Sequence, residues 1–401
     1  MKWSSAISEE STLTGAFEDC ARRLEDELGG LAAHMIVAFV SPHYAHEYQA
    51  MTALATERFG DALLVGCSGG GVIGAATEVE NRPALALTAA HLPNVQLTPF
   101  HIQYGALPDG DAPPDEWGSL VNTPIGADVD FLILADPFSM QGEQLLMGLD
   151  YAFPRSAKIG GLASGAHQEG GNALYLDDET YTDGVVGVAF EGDVQIDTVV
   201  AQGCRPIGEL LHITSSRRNI LLEVDGRTPF EVLKEIFITL DERDRELAQH
   251  SLFLGVVMDE LNDDPKLGDF LIRNIVGVDA QRGALAVGEM LKEGQTVQFH
   301  LRDAETSSQD LSAMLEQYVS ELPQSGRSEA GALLFQCLGR GSYLYGRPDH
   351  DTDMFTNMVG AVPLTGFFCN GEIGQVGDAT FLHGYTSSFG IFRPKHRAME
   401  V

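Results

Sequence analysis

Lysine is scarce in this 401-residue chain: Lys and Arg together number 25, against 58 Asp and Glu, and the formal net charge is −33. A field of that sign repels phosphate backbones and anionic lipid heads, so neither nucleic acid nor a membrane surface is an expected partner. Long apolar runs are missing too. The longest, such as MIVAFV at 35–40, are far too short to cross a bilayer as a helix, so no membrane insertion is expected. The opening MKWSSAISEESTLTG lacks the apolar core and small-residue cleavage site of a secretory signal. Cysteine is sparse and scattered: Cys20, Cys67, Cys204, Cys337 and Cys369 form no C-x-x-C pair and no Cys/His cluster with zinc spacing. Such a set suits reduced thiols, and an acidic cytoplasmic protein without metal or cofactor is the expectation.

Hydrophobic residues make up 44% of the chain, enough to bury a large core and to support two domains. Leu13, Phe17, Leu24 and Leu28 recur at helical steps before Gly29-Gly30, which predicts an N-terminal amphipathic helix within residues 1–29. Buried-type strands follow at HMIVAFVS and ALLVGC, with a helix near 45–59 between them. PALALTAAHL and VQLTPFHIQ come without room for a helix and predict an antiparallel hairpin. A second hairpin is expected across VVGVAFEGDVQIDTVVAQG, with Gly192-Asp193 as its turn.

Thr228, Pro229 and Glu231 in TPFEVL form the clearest helix start in the chain, so a new unit is expected to begin near 226. Domains are therefore read as 30–225 and 226–401. Strands are expected around 252–258, 270–278 and 296–302, then a helix opened by Ser307 with Leu311, Leu315, Tyr318 and Leu322 on its apolar side. The nonamers GCSGGGVIG at 66–74 and GFFCNGEIG at 366–374 both leave a short apolar run through a glycine bend, matching at four positions. They suggest an internal duplication. The fold class is α+β (mixed α/β): two related, pseudo-symmetric domains of mixed, largely antiparallel β-sheets covered by helices.

Several catalytic signatures are absent. GCSGGGVIG has no lysine after its glycines, as a phosphate-binding loop needs. Gly69, Gly71 and Gly74 match G-x-G-x-x-G, but Pro83 breaks the helix that a dinucleotide site would require. No G-x-S-x-G elbow is present, and His43, His46 and Glu47 read as an exposed helix start rather than a metal site. The most polar late cluster comprises Arg340, Asn370, Glu372, His383, Tyr385 and Thr386. It reads equally as a satisfied buried network or as a site holding a ligand's amino group.

GCSGGGVIG, IGGLASG, YTDGVVGVAF, AQGCRPIG, LLFQCLGRG and above all GFFCNGEIG followed by TFLHGYTSSFGIF resemble the FIST domain family, in which a FIST-N domain precedes a FIST-C domain. The resemblance spans about residues 30–392. It implies an intracellular sensory module that binds a small ligand, an amino acid or related metabolite, and signals through a protein partner. With too few leading residues for an F-box, the expected form is the bacterial stand-alone one. Beside it, the candidate ligand-binding residues are Ser68, Gly69, Gly70, Arg340, Asn370, Glu372, His383 and Thr386, with Arg340 facing a carboxylate and Glu372 an ammonium. No catalytic residue is assigned. The alternative is an enzyme using a thiol or a Glu372/His383 pair on a small metabolite.

Overall fold

The computed structural model describes residues 1–262, 264–321 and 330–395. Its contacts divide the chain into two units, one of residues 1–200, 313–382 and 386–401 and one of residues 201–312 and 383–385. The units cut across the 30–225 and 226–401 division. The reason is strand pairing: Leu364–Cys369, late in the sequence, runs antiparallel to Gly71–Gly74.

The first unit holds three six-stranded sheets built to one plan. In each, a parallel pair lies at the centre: Met35–Val40 with Leu63–Ser68, Val129–Ala135 with Lys158–Leu162, and Gly331–Cys337 with Leu364–Cys369. A helix connects the two strands of each pair, at Ala50–Phe59, Gly142–Ala152 and His350–Val359 respectively. Such crossovers are what parallel pairing demands. On one side each pair gains an antiparallel strand, Leu85–His91, Val185–Gly192 or Ser387–Arg393.

On the other side each pair gains a hairpin, and that hairpin comes from a different module. Strands Leu174–Leu176 and Glu179–Tyr181 complete the first sheet. Glu372–Val376 and Ala379–His383 complete the second, and Gly71–Gly74 with Thr77–Glu80 completes the third. The hand-over is cyclic. The Gly66/Gly366 correspondence in the sequence thus marks two of three equivalent strands, with Gly160 at the third: each pairs with a residue of its parallel neighbour, Ala38, Leu334 and Ile133.

Apolar side chains from all three sheets meet in one core, including Val37, Val65, Leu132, Val188, Phe335 and Phe367. Helix Leu13–Leu28 buries Leu13, Phe17, Leu24 and Leu28 against the first sheet and ends at Gly29 in a left-handed conformation, as its spacing predicts. A strand not expected from the sequence, Lys2–Ser8, precedes it.

Both expected hairpins fail. Leu85–His91 lies in the first sheet between Lys2–Ser8 and Met35–Val40, while Val95–Ile102 lies in the second beside Val185–Gly192. Likewise Val185–Gly192 and Gln195–Ala201 belong to different sheets. Alternation of apolar residues identifies a strand but not its partner, and here each short link passes the chain from one sheet to the next.

The second unit is a closed six-stranded barrel of Cys204–Arg217, Ile220–Val224, Ala284–Val287, Phe270–Asp279, Leu252–Val257 and Thr296–Arg302, in that order. Leu254, Val256, Leu285, Val297, Phe299 and Leu301 belong to its buried core. Helix Pro229–Thr239 carries the expected capping box from Thr228 and Glu231. The helix expected from Ser307 starts earlier and spans Ala304–Glu321; Leu322 lies outside the described residues. No helix among the described residues is long and apolar enough to cross a membrane.

Candidate ligand-binding site

At the ends of the three parallel pairs the backbone closes a ring. Ser164 donates its N–H to the Ser68 carbonyl at 3.1 Å, and Asn370 donates to the Leu162 carbonyl at 3.1 Å. The third link passes through a side chain: Gly70 N–H donates to Ser164 Oγ at 2.8 Å, and Ser164 Oγ donates to the Phe368 carbonyl. Ser68 Oγ accepts from the Ala173 N–H at 3.0 Å, and Asn370 Nδ2 donates to the Ala163 carbonyl at 3.0 Å. Gly69 donates to the Val40 carbonyl at 2.9 Å. Four of the sequence candidates therefore lie together, engaged with protein groups.

From this ring the polar network runs outward from Glu372, on its strand of the second sheet, to strand ends of the third. Glu372 is fully buried; its Oε2 accepts the N–H of Thr386 at 3.0 Å and its hydroxyl at 2.8 Å, and Oε1 accepts the Cys369 thiol at 3.5 Å. Burial pushes the Cys369 and Cys67 thiols well above their ordinary range, with Glu372 adding to the shift at Cys369. Both stay protonated, the form that is a poor nucleophile. The Thr386 carbonyl accepts from the Cys337 N–H at 3.0 Å, and the Cys337 carbonyl from the Arg340 N–H at 2.9 Å.

Arg340 is fully buried, and its fork already holds a carboxylate of the chain: Nε reaches Asp351 Oδ2 at 2.7 Å and Nη2 reaches Oδ1 at 3.3 Å. Asp351 also accepts from Ser387 Oγ at 2.5 Å and from the His350 ring at 2.9 Å. Burial would raise its pKa, but the Arg340 charge and these hydrogen bonds hold it well below the usual carboxylate range.

Around this ion pair several buried atoms lack a hydrogen-bond partner: Arg340 Nη1, both ends of the Gln336 amide, Thr352 Oγ1 and Glu78 Oε2. Strand register places them together. Gln336 pairs with Ser387, whose hydroxyl reaches Asp351, and Glu78 Oε1 accepts the Thr352 N–H at 3.3 Å. Burial, reinforced by the negative charge of Asp351, lifts Glu78 to about 8, so its carboxyl is largely neutral near pH 7. This cluster sits at the carboxyl end of Gly331–Cys337 and the start of His350–Val359, where open α/β sheets hold their ligands. Unsatisfied buried groups of this density call for an explanation. They offer donors and acceptors side by side, with no net charge left over.

The chain matches the model of the FIST N domain over residues 34–227 and that of the FIST C domain over 229–375. It belongs to the FIST family. FIST domains are in general sensory domains of signal transduction. An uncharacterized protein of Mycobacterium tuberculosis strain H37Rv is 35% identical over 384 residues, covering 94% of this chain and 95% of its own. An uncharacterized protein of Mycobacterium bovis is 33% identical over 377 residues, 93% of this chain and 94% of its own. An F-box/LRR-repeat protein of Arabidopsis thaliana is 26% identical over 294 residues, 62% of this chain and 54% of its own. In this FIST protein the FIST C match covers four of the six barrel strands and also Gly331–Cys337 and Leu364–Cys369 of the three-sheet unit, while the barrel strands Cys204–Arg217 and Ile220–Val224 fall in the FIST N match.

Of the sequence candidates, His383 ends strand Ala379–His383, which neighbours strand Glu372–Val376 in the second sheet. Its contacts group it with the barrel unit, whereas Glu372 belongs to the three-sheet unit. Gln336, Glu78, Asp351, Thr352 and Ser164 were not legible as site residues. Asp351 lies in PDHDTD, which reads as a solvated acidic helix start, although its side chain is fully buried.

Proposed function

We propose that this FIST protein is an intracellular sensor that binds a small ligand, an amino acid or related metabolite, and reports through a protein partner. One observation carries the reading: the unpartnered buried atoms of Gln336, Arg340, Thr352 and Glu78 gathered around Asp351. A small molecule bearing both donors and acceptors would satisfy them, with Glu372, Thr386 and Asn370 fixing the neighbouring strand ends and Ser68, Gly69 and Gly70 the ring behind. The protonated Cys67 and Cys369 thiols weigh against a thiol-dependent enzyme.

Thermal melts against amino acids and common metabolites test it. A ligand at a hundred times its Kd adds about 2.7 kcal/mol to stability, a visible shift. A selective rise in Tm that Gln336→Met and Glu78→Gln both abolish is the expected result; a panel without any shift would overturn the sensor reading.

A further inference from the structure

Four arginines of this protein are used in one way. The Nε and Nη2 edge, a two-pronged donor, faces carboxylate oxygens: Arg340 holds Asp351, Arg393 holds Asp197, Arg58 holds Glu25, and Arg205 spans Asp303 and Asp244. Among the described arginines only Arg302 leaves both atoms of that edge buried and unpartnered. Its side chain is no surface group, since Arg302 is only 6% exposed. The neighbouring Asp303 does not serve it, being engaged by Arg205 and Thr306.

Arg302 sits at the end of barrel strand Thr296–Arg302, paired in register with Cys204. Its guanidinium lies 5.1 Å from the centre of the Tyr385 ring, which packs 4.3 Å from Phe253. Phe253, Val257, Phe270 and Ile272 form an apolar cluster there with Cys204. Two residues back on the strand, His300 packs 4.7 Å from Phe270, and burial lowers its pKa to about 4, leaving the ring neutral near pH 7. The Tyr385 hydroxyl donates to Asn274 Oδ1. Arg302 is thus a cation in apolar surroundings without a counter-charge, which is costly unless an anion completes it.

We propose that the barrel unit carries an anion site in which the Nε and Nη2 edge of Arg302 receives the carboxylate of a small organic acid. The fork matches two coplanar oxygens, and the aromatic walls suit the acid's carbon skeleton. A monoanion is favoured over a multiply charged phosphate because the whole chain carries −33. The site is separate from the cluster around Asp351 and stands whether or not that cluster binds a ligand.

Melts and calorimetric titrations of the full chain with acetate, propionate and inorganic phosphate, at fixed ionic strength with chloride as control, test the site. The expected result is a saturable rise in Tm with the two carboxylates. Arg302→Met weakens their binding about thirtyfold or more, and without anion it melts at or above the wild-type temperature because a buried uncompensated charge is gone. Arg302→Lys, which keeps the charge but loses the fork, binds more weakly than wild type and serves if the Met variant does not fold. Gln336→Met leaves the carboxylate response intact. No saturable shift in the wild type, a shift retained in Arg302→Met, a phosphate response equal to that of acetate, or loss of the response in Gln336→Met would each overturn the proposal.

Discussion

Gly66 and Gly366 occupy the same place in two different sheets: a Cβ on Gly66 would lie 2.0 Å from the Ala38 carbonyl oxygen, and one on Gly366 would lie 1.9 Å from that of Leu334. In each case the second strand of a parallel pair presses its backbone against the first, so only glycine fits. Gly66→Ala or Gly366→Ala should each cost at least about 3 kcal/mol, since strand backbone rather than a flexible side chain must move. Gly110→Ala, where an added Cβ meets nothing within 4 Å, should stay within about 0.5 kcal/mol. Urea unfolding midpoints compare them; equal losses at all three sites would contradict the packing account.

Glu78 makes stability depend on pH in a stated direction. Its carboxyl is raised from 4.5 to about 8, chiefly by burial and then by Asp351, so the folded chain holds a proton that the unfolded chain has released. Stability is therefore full below pH 4.5 as far as this group is concerned, and falls as pH rises from there to about 8. The loss should be on the order of 5 kcal/mol. Glu78→Gln should flatten that part of the profile, read from unfolding midpoints at intervals across the range.

The Arg340–Asp351 pair should behave as a unit. Asp351→Ala strands a buried guanidinium and is expected to cost about 3–5 kcal/mol, whereas the double replacement Arg340→Met with Asp351→Leu should recover most of it. A double-mutant cycle measures the coupling. Additive losses would mean that the two side chains stabilise the fold independently.

Thiol labelling should follow burial. Cys337 is partly exposed, while Cys67 and Cys369 are buried and their thiols are pushed up in pKa. Iodoacetamide at pH 7.5 followed by peptide mass analysis should find Cys337 modified well before the other two. Rapid labelling of Cys369 in the native protein would revive the nucleophile reading.

The sequence was most legible where a local rule suffices. Helix Leu13–Leu28 with its glycine stop, and the Thr228 capping box, follow from side-chain spacing within a few residues. Pairing was not legible, because the partner of a strand lies far along the chain: Gly71–Gly74 meets Leu364–Cys369. The same holds for the site. Arg340 and Glu372 stand out by type and context, but Glu78 owes its altered pKa to burial and then to Asp351, a residue 273 positions away.

Because each sheet of the three-sheet unit borrows a hairpin from another module, the protein has an order of manufacture built into it. As the chain leaves the ribosome, the hairpin Gly71–Glu80 must wait for Leu364–Cys369 to be synthesised before it finds its sheet, and Lys158–Leu162 must wait for Glu372–Val376. Nearly three hundred residues of translation separate the first of these pairs. During that interval open strand edges are exposed to other chains, which makes nascent FIST protein a natural client for chaperones that shield such edges.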